Sequence, residues 1–248
     1  MIFTADYHTH TRASDGANTL EENAMVALDN KLKTMSVTDH GFMSIKFHST
    51  PESLKQQREE ATLIRQKYGL DVIVGIEANI LGDGTLDMSM EDIKNVDQLT
   101  IGFHRLLIPA ALKHGKDFIL VNGFGSLKSR EQRIKENTDI MLKVMDNYPV
   151  DIIAHLNHRC LVDVKAIAEK AVEKNIYIEL NEKHIDTLEN DIEILKESGV
   201  NFVVGSDAHK KDNVGVFKKV LSFMMKHDVP INRIYGVNHK LCELKPKN

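Results

Sequence analysis

Seven short apolar runs recur along the chain, and each ends beside a histidine or an acidic residue. The runs are rich in Val and Ile and are apolar at successive positions, which is the pattern of strands covered on both faces in a parallel sheet. The sequence therefore predicts strands over residues 2–7, 34–38, 72–76, 99–103, 150–154, 176–178 and 202–206.

Helical segments with N-terminal start signals lie between these runs. Thr19, Thr50 with Pro51, and Ser129 are residue types that begin helices. The pattern predicts helices over 20–30, 54–68, 130–146, 163–174, 186–197 and 213–226. No linker or shift in composition divides residues 1–248, so we expect one domain.

Strands that alternate with helices predict an α/β fold. A barrel of about seven βα units is favoured, because it gathers the carboxyl ends of all strands at one end, where such folds carry their active sites. An open doubly wound sheet is the alternative, and it would spread the same ends along a line. The long interval before the fifth strand contains the glycine-rich stretch 121–125, which we interpret as an extra loop lining the site.

The composition is that of an ordinary globular protein. The chain has 248 residues, 42% of them hydrophobic, and a formal net charge of −4. No basic excess favours long nucleic acids, which bind through clustered Lys and Arg. The N-terminus lacks the basic start and apolar run of a signal peptide, and no apolar stretch is long enough for a membrane span, so we expect a cytoplasmic protein.

Histidine is the unusual component, with 12 copies in a chain that has no Trp. Residues two apart on a strand point to the same side, so His8 and His10 can reach one ion. Nine potential ligands lie at or just past the predicted strand ends: His8, His10, Asp15, His40, Glu77, His104, His155, Asp207 and His209.

Nine ligands exceed the four that a single zinc ion usually takes. The sequence therefore predicts two or three divalent metal ions. Imidazole and carboxylate ligands without thiolate suit Zn, Mn or Fe better than Ca or Mg. Glu77 is the best candidate to bridge two ions, because a carboxylate has two oxygens to share.

The motifs that contain these residues occur in a fixed order along nearly the whole chain. They are Asp6-Tyr7-His8-Thr9-His10-Thr11, Ser14-Asp15-Gly16, Thr38-Asp39-His40-Gly41, Gly75-Ile76-Glu77-Ala78-Asn79, Gly102-Phe103-His104, Ala154-His155 and Gly205-Ser206-Asp207-Ala208-His209. With this set the chain resembles the PHP (polymerase and histidinol phosphatase) phosphoesterases, and is similar to the small bacterial trinuclear-metal phosphatases and histidinol-phosphatase-like proteins among them.

The resemblance implies a distorted TIM-like (βα)7 barrel and a distribution of the ligands over three ions. His8, His10, Glu77 and Asp207 would hold the first, Glu77, His104 and His155 the second, and Asp15, His40 and His209 the third. Asp15 stands where close relatives often carry His, so the third site is expected to be weaker or to take a different metal. After His155 the family commonly has Pro, whereas this chain continues with Leu156.

The expected activity is metal-dependent hydrolysis of small phosphomonoesters. Two neighbouring ions would lower the pKa of a shared water and direct the resulting bridging hydroxide at the phosphorus. Arg12 and Arg105 are the candidate phosphate clamps, ahead of Arg159. Asp207 or a metal-bound water would return the proton to the leaving alkoxide.

Two other functions stay as alternatives. One is phosphodiesterase or exonuclease action on nucleotides, and the other is a non-catalytic metal-binding module. Retention of all nine ligands favours an enzyme.

Several neighbouring residues are given supporting or open roles. Glu179 is expected either to bind a metal-ligating histidine or to act directly, and Asp6 and Asp39 to support ligands. For His158 three roles stay open, which are support of a metal ligand, contact with the substrate and simple solvation. His184 is interpreted as structural.

Overall fold

The computed structural model describes residues 1–44, 48–104 and 128–247; Arg105 and the loop 121–125 lie outside these ranges. The described chain contains eight strands in one sheet, ordered as they occur in the sequence, and every neighbouring pair is parallel. The strands are β1 (Ala5–Thr9), β2 (Thr34–Val37), β3 (Asp71–Asn79), β4 (Gln98–Gly102), β5 (Ile152–Ile153), β6 (Tyr177–Asn181), β7 (Phe202–Gly205) and β8 (Ile234–Tyr235).

This order confirms the predicted α/β barrel and excludes the doubly wound alternative, whose strand order reverses at a switch point. All seven predicted strands overlap an observed one. The eighth strand was not predicted, because β8 has only two residues and no periodicity can be recognised over that length.

The described helices are α1 (Leu20–Asp29), α2 (Pro51–Tyr68), α3 (Met90–Ile93), α4 (Arg130–Asn147), α5 (Val164–Lys174), α6 (Ile192–Ser198) and α7 (Lys218–Lys226). Thr19, Thr50 and Ser129 each accept a backbone N–H three residues later and so cap α1, α2 and α4 as their residue types predict.

Two predicted helices are wrong in part. The segment 186–197 is divided into a 3-10 helix, Ile185–Leu188, and α6, with the weak helix formers Asn190 and Asp191 between them. The segment 213–226 becomes helical only from Lys218, because Gly215 has a positive φ of 72°, which no helical residue adopts.

The barrel is nearly closed, and its seam lies between β1 and the last two strands. At the start of β1, the Gly236 carbonyl accepts the backbone N–H groups of Thr4 and Ala5 at 2.8 and 3.2 Å. At the other end, Thr9 forms a parallel bridge to Ala208. The seam therefore brings the end of β1 next to the end of β7.

Alternate residues of each strand face two different environments. On β3, Val74 and Ile76 pack into the main core between sheet and helices, whereas Ile73 packs against a smaller cluster built on strand residues. That smaller cluster fills the lower part of the barrel, and its buried members are Ala5, Tyr7, Ile152, Tyr177 and Val203. Glu77 follows Ile73 on the same face, four residues nearer the carboxyl end.

Polar residues occupy the barrel interior above this apolar layer. The buried Gln98 amide donates to the Tyr7 carbonyl and to Thr100 Oγ1, both at 2.9 Å, and its oxygen accepts from Ser36 Oγ at 2.7 Å. Buried polar atoms are tolerated when they are hydrogen-bonded in this way. The interior thus changes from apolar to polar toward the carboxyl ends of the strands.

None of the helices in the described part of the chain has the length and apolarity that crossing a membrane requires.

Candidate metal centre

Glu77 lies at the centre of a group of imidazoles and is 1% exposed. Its Oε1 is 2.8 Å from His155 Nε2 and 3.2 Å from His104 Nε2. Its Oε2 is 3.0 Å from His40 Nδ1 and 3.4 Å from His8 Nε2. The two oxygens of one carboxylate therefore face two different sets of histidines, which is the arrangement a bridging ligand needs.

Three overlapping groups of side chains have ligand atoms that all lie within 4.8 Å of one another and can hold a metal ion. The groups are His8, His10 and Asp207; His10, Asp15, His40 and His209; and His40, Glu77 and His104. Together with His155, which contacts Glu77, the structure brings all nine predicted ligands to one place. Their binding of metal stays a prediction.

The grouping differs in detail from the one that the resemblance implies. His10 belongs to the first and second groups, and His40 belongs to the second and third. His155 is outside the three groups and reaches the cluster through Glu77 Oε1. The three groups thus share His10 and His40, whereas the distribution that the resemblance implies shares Glu77 between two ions.

A bulge in β1 aims its histidines into the barrel. The pairing of β1 with β2 shifts register between Asp6 and Thr9, where β1 has one residue more than its partner. A bulge turns the side chains that follow it. Tyr7 and His8 are adjacent in sequence, yet Tyr7 packs in the inner apolar cluster while His8 contacts His10 and the metal-ligand cluster above it. Strict alternation from Tyr7 would have placed the His8 side chain on the outer face of the sheet, toward the helices.

Two other predicted ligands have left-handed backbone conformations. The φ angles are 31° for His155 and 52° for Asp207, in a region that side chains other than glycine seldom adopt. Such conformations cluster at functional sites, where surrounding contacts maintain them. Here the His155 N–H donates to Glu179 at 2.9 Å, and the Asp207 N–H donates to the His8 carbonyl at 2.9 Å.

Glu179 on β6 is a supporting carboxylate for the cluster. Its Oε1 lies 2.8 Å from His8 Nδ1, and its Oε2 accepts from the His155 N–H and the Asn181 amide, both at 2.9 Å. A carboxylate on Nδ1 sets the tautomer and ring orientation of a histidine whose Nε2 can bind metal. Of the two roles left open for Glu179, the geometry favours the supporting one.

Asp39 supports the loop that carries Asp15. It accepts hydrogen bonds from the Thr11 N–H at 2.7 Å, and from Thr11 Oγ1 and Ser14 Oγ, both at 2.5 Å. The Gln57 amide of α2 donates to the same carboxylate. One buried side chain, that of Asp39, thus fixes the loop between β1 and α1 through hydrogen bonds to Thr11 and Ser14.

Asp6 ties together the elements around β1. Its carboxylate accepts the backbone N–H groups of Ser206 and Gly215, each at 2.9 Å. Burial raises the pKa of Asp6 to about 6, although these hydrogen bonds by themselves lower it.

The donor atoms of the cluster fit a divalent metal. The buried Nδ1 atoms of His10 and His104 have no hydrogen-bond partner within the described structure, and His40 Nδ1 faces Glu77 Oε2 at 3.0 Å without the geometry of a hydrogen bond. In addition, the Glu179 carboxylate 2.8 Å from His8 Nδ1 favours the tautomer with the proton on Nδ1, which leaves a lone pair on His8 Nε2, 3.1 Å from His10 Nε2. Orphaned imidazole nitrogens beside carboxylates are the ligand set expected for Zn, Mn or Fe.

The charges of the cluster are strongly coupled. Burial by itself raises the pKa of Glu77, but the imidazoles of His104 and His8 lower it well below its usual range. Burial likewise opposes ionisation of Asp207, and contacts with His10 and His209 lower its pKa well below normal. Both carboxylates are therefore anionic at neutral pH, the form that binds a cation.

Of the two favoured phosphate clamps, Arg12 and Arg105, only Arg12 lies within the described residues. Arg12 Nε donates to the Ala17 carbonyl at 2.9 Å, and its guanidinium lies 3.7 Å from Glu22 on the surface. Arg105 lies outside the described residues. A role for either in phosphate binding stays a prediction.

Sequence reasoning missed one cation at the cluster, Lys183. Its Nζ is 3.4 Å from Asp207 Oδ1 and 3.3 Å from His209 Nδ1. Its place two residues after the end of β6 is the signal for it in the sequence, because residues just past the strand ends of such a barrel gather at the site.

His158 and His184 also lie beside the cluster. Their rings stack with centroids 3.8 Å apart and an interplanar angle of 27°. Burial lowers the pKa of His158 to about 3 and that of His184 to about 4, so both rings are neutral at pH 7. The interpretation of His184 as purely structural missed its position 3.7 Å from Asp207.

Comparison with known proteins gives a family match over most of the chain. The sequence profile of the PHP domain matches residues 6–209, which contain all nine predicted ligands. The chain is 31% identical to a protein of Clostridium novyi named as a probable phosphatase, over 100% of this chain and 96% of that one. A protein of Acetivibrio thermocellus with the same description is 30% identical, over 96% and 92% of the two chains.

The fold is a TIM-like α/β barrel, and the site at the carboxyl ends of its strands is a candidate metal centre. The chain belongs to the PHP family, as its motifs predicted. Among solved structures, histidinol phosphate phosphatase from Lactococcus lactis, which was crystallised with zinc, L-histidinol and phosphate, has a TM-score of 0.68. It is 16% identical and the alignment covers 100% of this chain and 99% of that one, a similarity that shows the fold.

Proposed function

We propose that the protein is a phosphatase of small phosphomonoesters that uses two or three divalent ions, with Zn²⁺ as the preferred metal and Mn²⁺ or Fe²⁺ as alternatives. The observation that carries the proposal is the cluster around Glu77, in which six imidazoles and three carboxylates converge at the carboxyl end of the barrel. The names of the Clostridium and Acetivibrio relatives support phosphatase action, and the Lactococcus structure supports alcohols of the size of histidinol as a first substrate class.

The nine residues have different tasks in this proposal. Glu77 joins the groups, because its oxygens face His104 and His155 on one side and His8 and His40 on the other. When bound, a pair of divalent ions supplies a water of lowered pKa and positive charge for the phosphate oxygens.

Asp15, His40 and His209 complete the outer group with His10. Asp15 is the most exposed of these ligands, with 30% of its side chain accessible. An exposed ligand is hydrated and holds an ion less firmly, so the outer group is the one we expect to lose its metal first.

The test measures metal content and phosphate release on the same purified sample. We expect two or three ions per chain, and hydrolysis of p-nitrophenyl phosphate that a chelator abolishes and Zn²⁺ or Mn²⁺ restores. Bis(p-nitrophenyl) phosphate is the matched diester, and we expect it to be hydrolysed more slowly.

Faster hydrolysis of the diester would replace the proposal with phosphodiesterase action. Bound metal without turnover of either ester, or of a panel of small phosphomonoesters that includes histidinol phosphate, would favour a non-catalytic module. Purified protein that neither contains nor takes up metal would contradict the site itself.

A further inference from the structure

Three side chains that are not among the nine predicted ligands form a polar and aromatic wall on one side of the metal-ligand cluster. It consists of His158 in the loop after β5, and of Lys183 and His184 in the loop after β6. The His158 and His184 rings stack on each other, and each also lies edge-on to His155, with centroids 5.4 and 5.7 Å away.

The loop after β6 is built to present Lys183 and His184. The side chain of Asn181, which is buried, accepts the backbone N–H groups of both residues at 2.9 Å through its Oδ1. Its amide nitrogen is bonded in turn to Glu179, at 2.9 Å. The turn that carries the lysine and the histidine is thus anchored to the carboxylate that orients His8.

The two loops of the wall are also joined to each other. The Thr187 hydroxyl is within hydrogen-bonding distance of the Leu156 and His184 carbonyls, at 2.8 and 2.9 Å. Arg159 Nε donates to His158 Nε2 at 2.9 Å from the other side of the stack. Both rings are therefore positioned before any ligand arrives, which lowers the entropic cost of binding against them.

The wall has a charged part, Lys183, and a neutral aromatic part, the His158–His184 stack. Lys183 places an ammonium group beside Asp207 and His209, and 46% of its side chain is exposed, so it can reach an anion at the mouth of the cluster. Next to it, His184 of the stack keeps 22% of its side chain exposed and so offers an accessible aromatic ring. A phosphomonoester has the same two parts, an anionic phosphate and an attached organic group.

We propose that Lys183 binds a phosphate oxygen of the substrate and that the His158–His184 stack binds the organic group, selecting flat ring-bearing alcohols over flexible aliphatic ones. The inference rests on the proposed phosphatase function and names the substrate class of that site. Lys183 replaces Arg12 as the phosphate-binding cation, since Arg12 is engaged with Ala17 and Glu22. Aromatic pairing supplies the selectivity, because offset and edge-on contacts require a second ring.

Binding of non-hydrolysable phosphonates tests the inference without relying on turnover. Isothermal titration calorimetry of the metal-loaded protein would compare phenylphosphonate with propylphosphonate. We expect Lys183→Met to weaken both ligands by about tenfold or more, the effect of losing a charge-assisted hydrogen bond, with metal content unchanged. Lys183→Arg should restore most of the affinity, and Lys210→Met, which removes an exposed charge one residue after His209, should change neither ligand.

A second pair of variants tests the role of the His184 ring. We expect His184→Leu to weaken phenylphosphonate by about threefold to tenfold and to leave propylphosphonate unchanged, whereas His184→Phe keeps the preference. Equal losses for both ligands in His184→Leu would overturn the aromatic subsite. Unchanged affinity in Lys183→Met would overturn the role of the lysine.

Turnover measured in parallel separates this inference from the proposed function. If the wild type binds the phosphonates with the expected pattern but hydrolyses no phosphomonoester, the subsite stands and the phosphatase proposal falls. If it hydrolyses phosphomonoesters while the variants bind normally, the subsite alone is wrong. If the wild type binds neither phosphonate, the subsite is overturned.

Discussion

Glu179 Oε1 lies 2.8 Å from His8 Nδ1, across the barrel seam from strand β6 to strand β1. The other oxygen of the same carboxylate accepts the backbone N–H of His155, whose backbone is left-handed. One buried acid therefore sets the orientation of two predicted metal ligands, His8 and His155, that lie 147 positions apart in the sequence.

We expect Glu179→Gln to lower metal affinity by about 10–100-fold, the usual effect of removing a partner that orients a ligand. Glutamine has one acceptor oxygen for the three donors that Glu179 serves, so one N–H is left facing an NH₂ group. Metal titration of the chelated protein measures the effect. Glu182→Gln is the matched control, because Glu182 receives the N–H groups of Lys219 and Val220 away from the cluster and should affect stability only.

Glu77→Gln tests the bridging role. The substitution keeps the size of the side chain but removes the charge between two sets of imidazoles, so we expect fewer bound ions and a fall in phosphate release of more than about 100-fold, larger than for an orienting residue. Circular dichroism would verify that the variant is folded. Full activity with full metal content would show that Glu77 does not bridge.

Asp15→Ala tests the outer group of His10, Asp15, His40 and His209. We expect one ion fewer per chain while the inner ions are retained, because the imidazoles that Asp15 contacts, those of His10, His40 and His209, all belong to that group. Asp39→Asn should produce a weaker version of the same change, since Asp39 holds the loop without being a ligand. Elemental analysis after dialysis measures both, and loss of every ion in Asp15→Ala would contradict an independent outer site.

Gly205→Ala is expected to disturb the cluster through packing alone. An added Cβ would lie 2.0 Å from Glu179 Oε1 and 2.8 Å from the His8 Cβ. We expect a stability loss of at least about 1–3 kcal/mol from overpacking, together with reduced metal binding. Gly69→Ala, at a positive φ of 73° with open space around it, should cost about 1–2 kcal/mol and leave metal binding unchanged. Thermal melts with and without metal separate the two effects.

Metal binding should release protons at neutral pH. Burial opposes the charged form of His40, but Asp15 and Glu77 outweigh it and raise the pKa of His40 to about 10. Against the same effect of burial, Asp15 and Asp207 raise the pKa of His209 to about 9. A metal needs the neutral imidazole, so its binding must displace these protons, and affinity should rise by about tenfold per pH unit for each proton displaced.

In the metal-free protein, the same two histidines make the folding stability fall as the pH rises. Raised histidine pKa values stabilise the fold fully below about pH 6.5, and this contribution is lost as the pH rises through 9 to 10. Calorimetric titration with Zn²⁺ in buffers of different ionisation enthalpy counts the released protons. Release of none at pH 7 would show that His40 and His209 are neutral before the metal arrives.

The sequence alone determined the strands and the composition of the metal-ligand cluster. Runs of Val and Ile located seven of the eight strands, because a strand covered on both faces must be apolar along its length. The cluster followed from one rule of parallel α/β folds, since the carboxyl ends of the strands meet at one end of the barrel. Chain-distant residues such as His8, Glu77 and Asp207 therefore had to come close together.

Only the tertiary structure decided how these side chains are aimed and shared. The bulge that turns His8 inward and the left-handed backbone of His155 depend on contacts with other strands, which no local period encodes. The loop after β5 brought His158 to the cluster, and the loop after β6 brought Lys183 and His184. The conformation of these loops depends on a hydrogen bond between them, from the Thr187 hydroxyl to the Leu156 carbonyl, which forms only when β5 and β6 lie side by side.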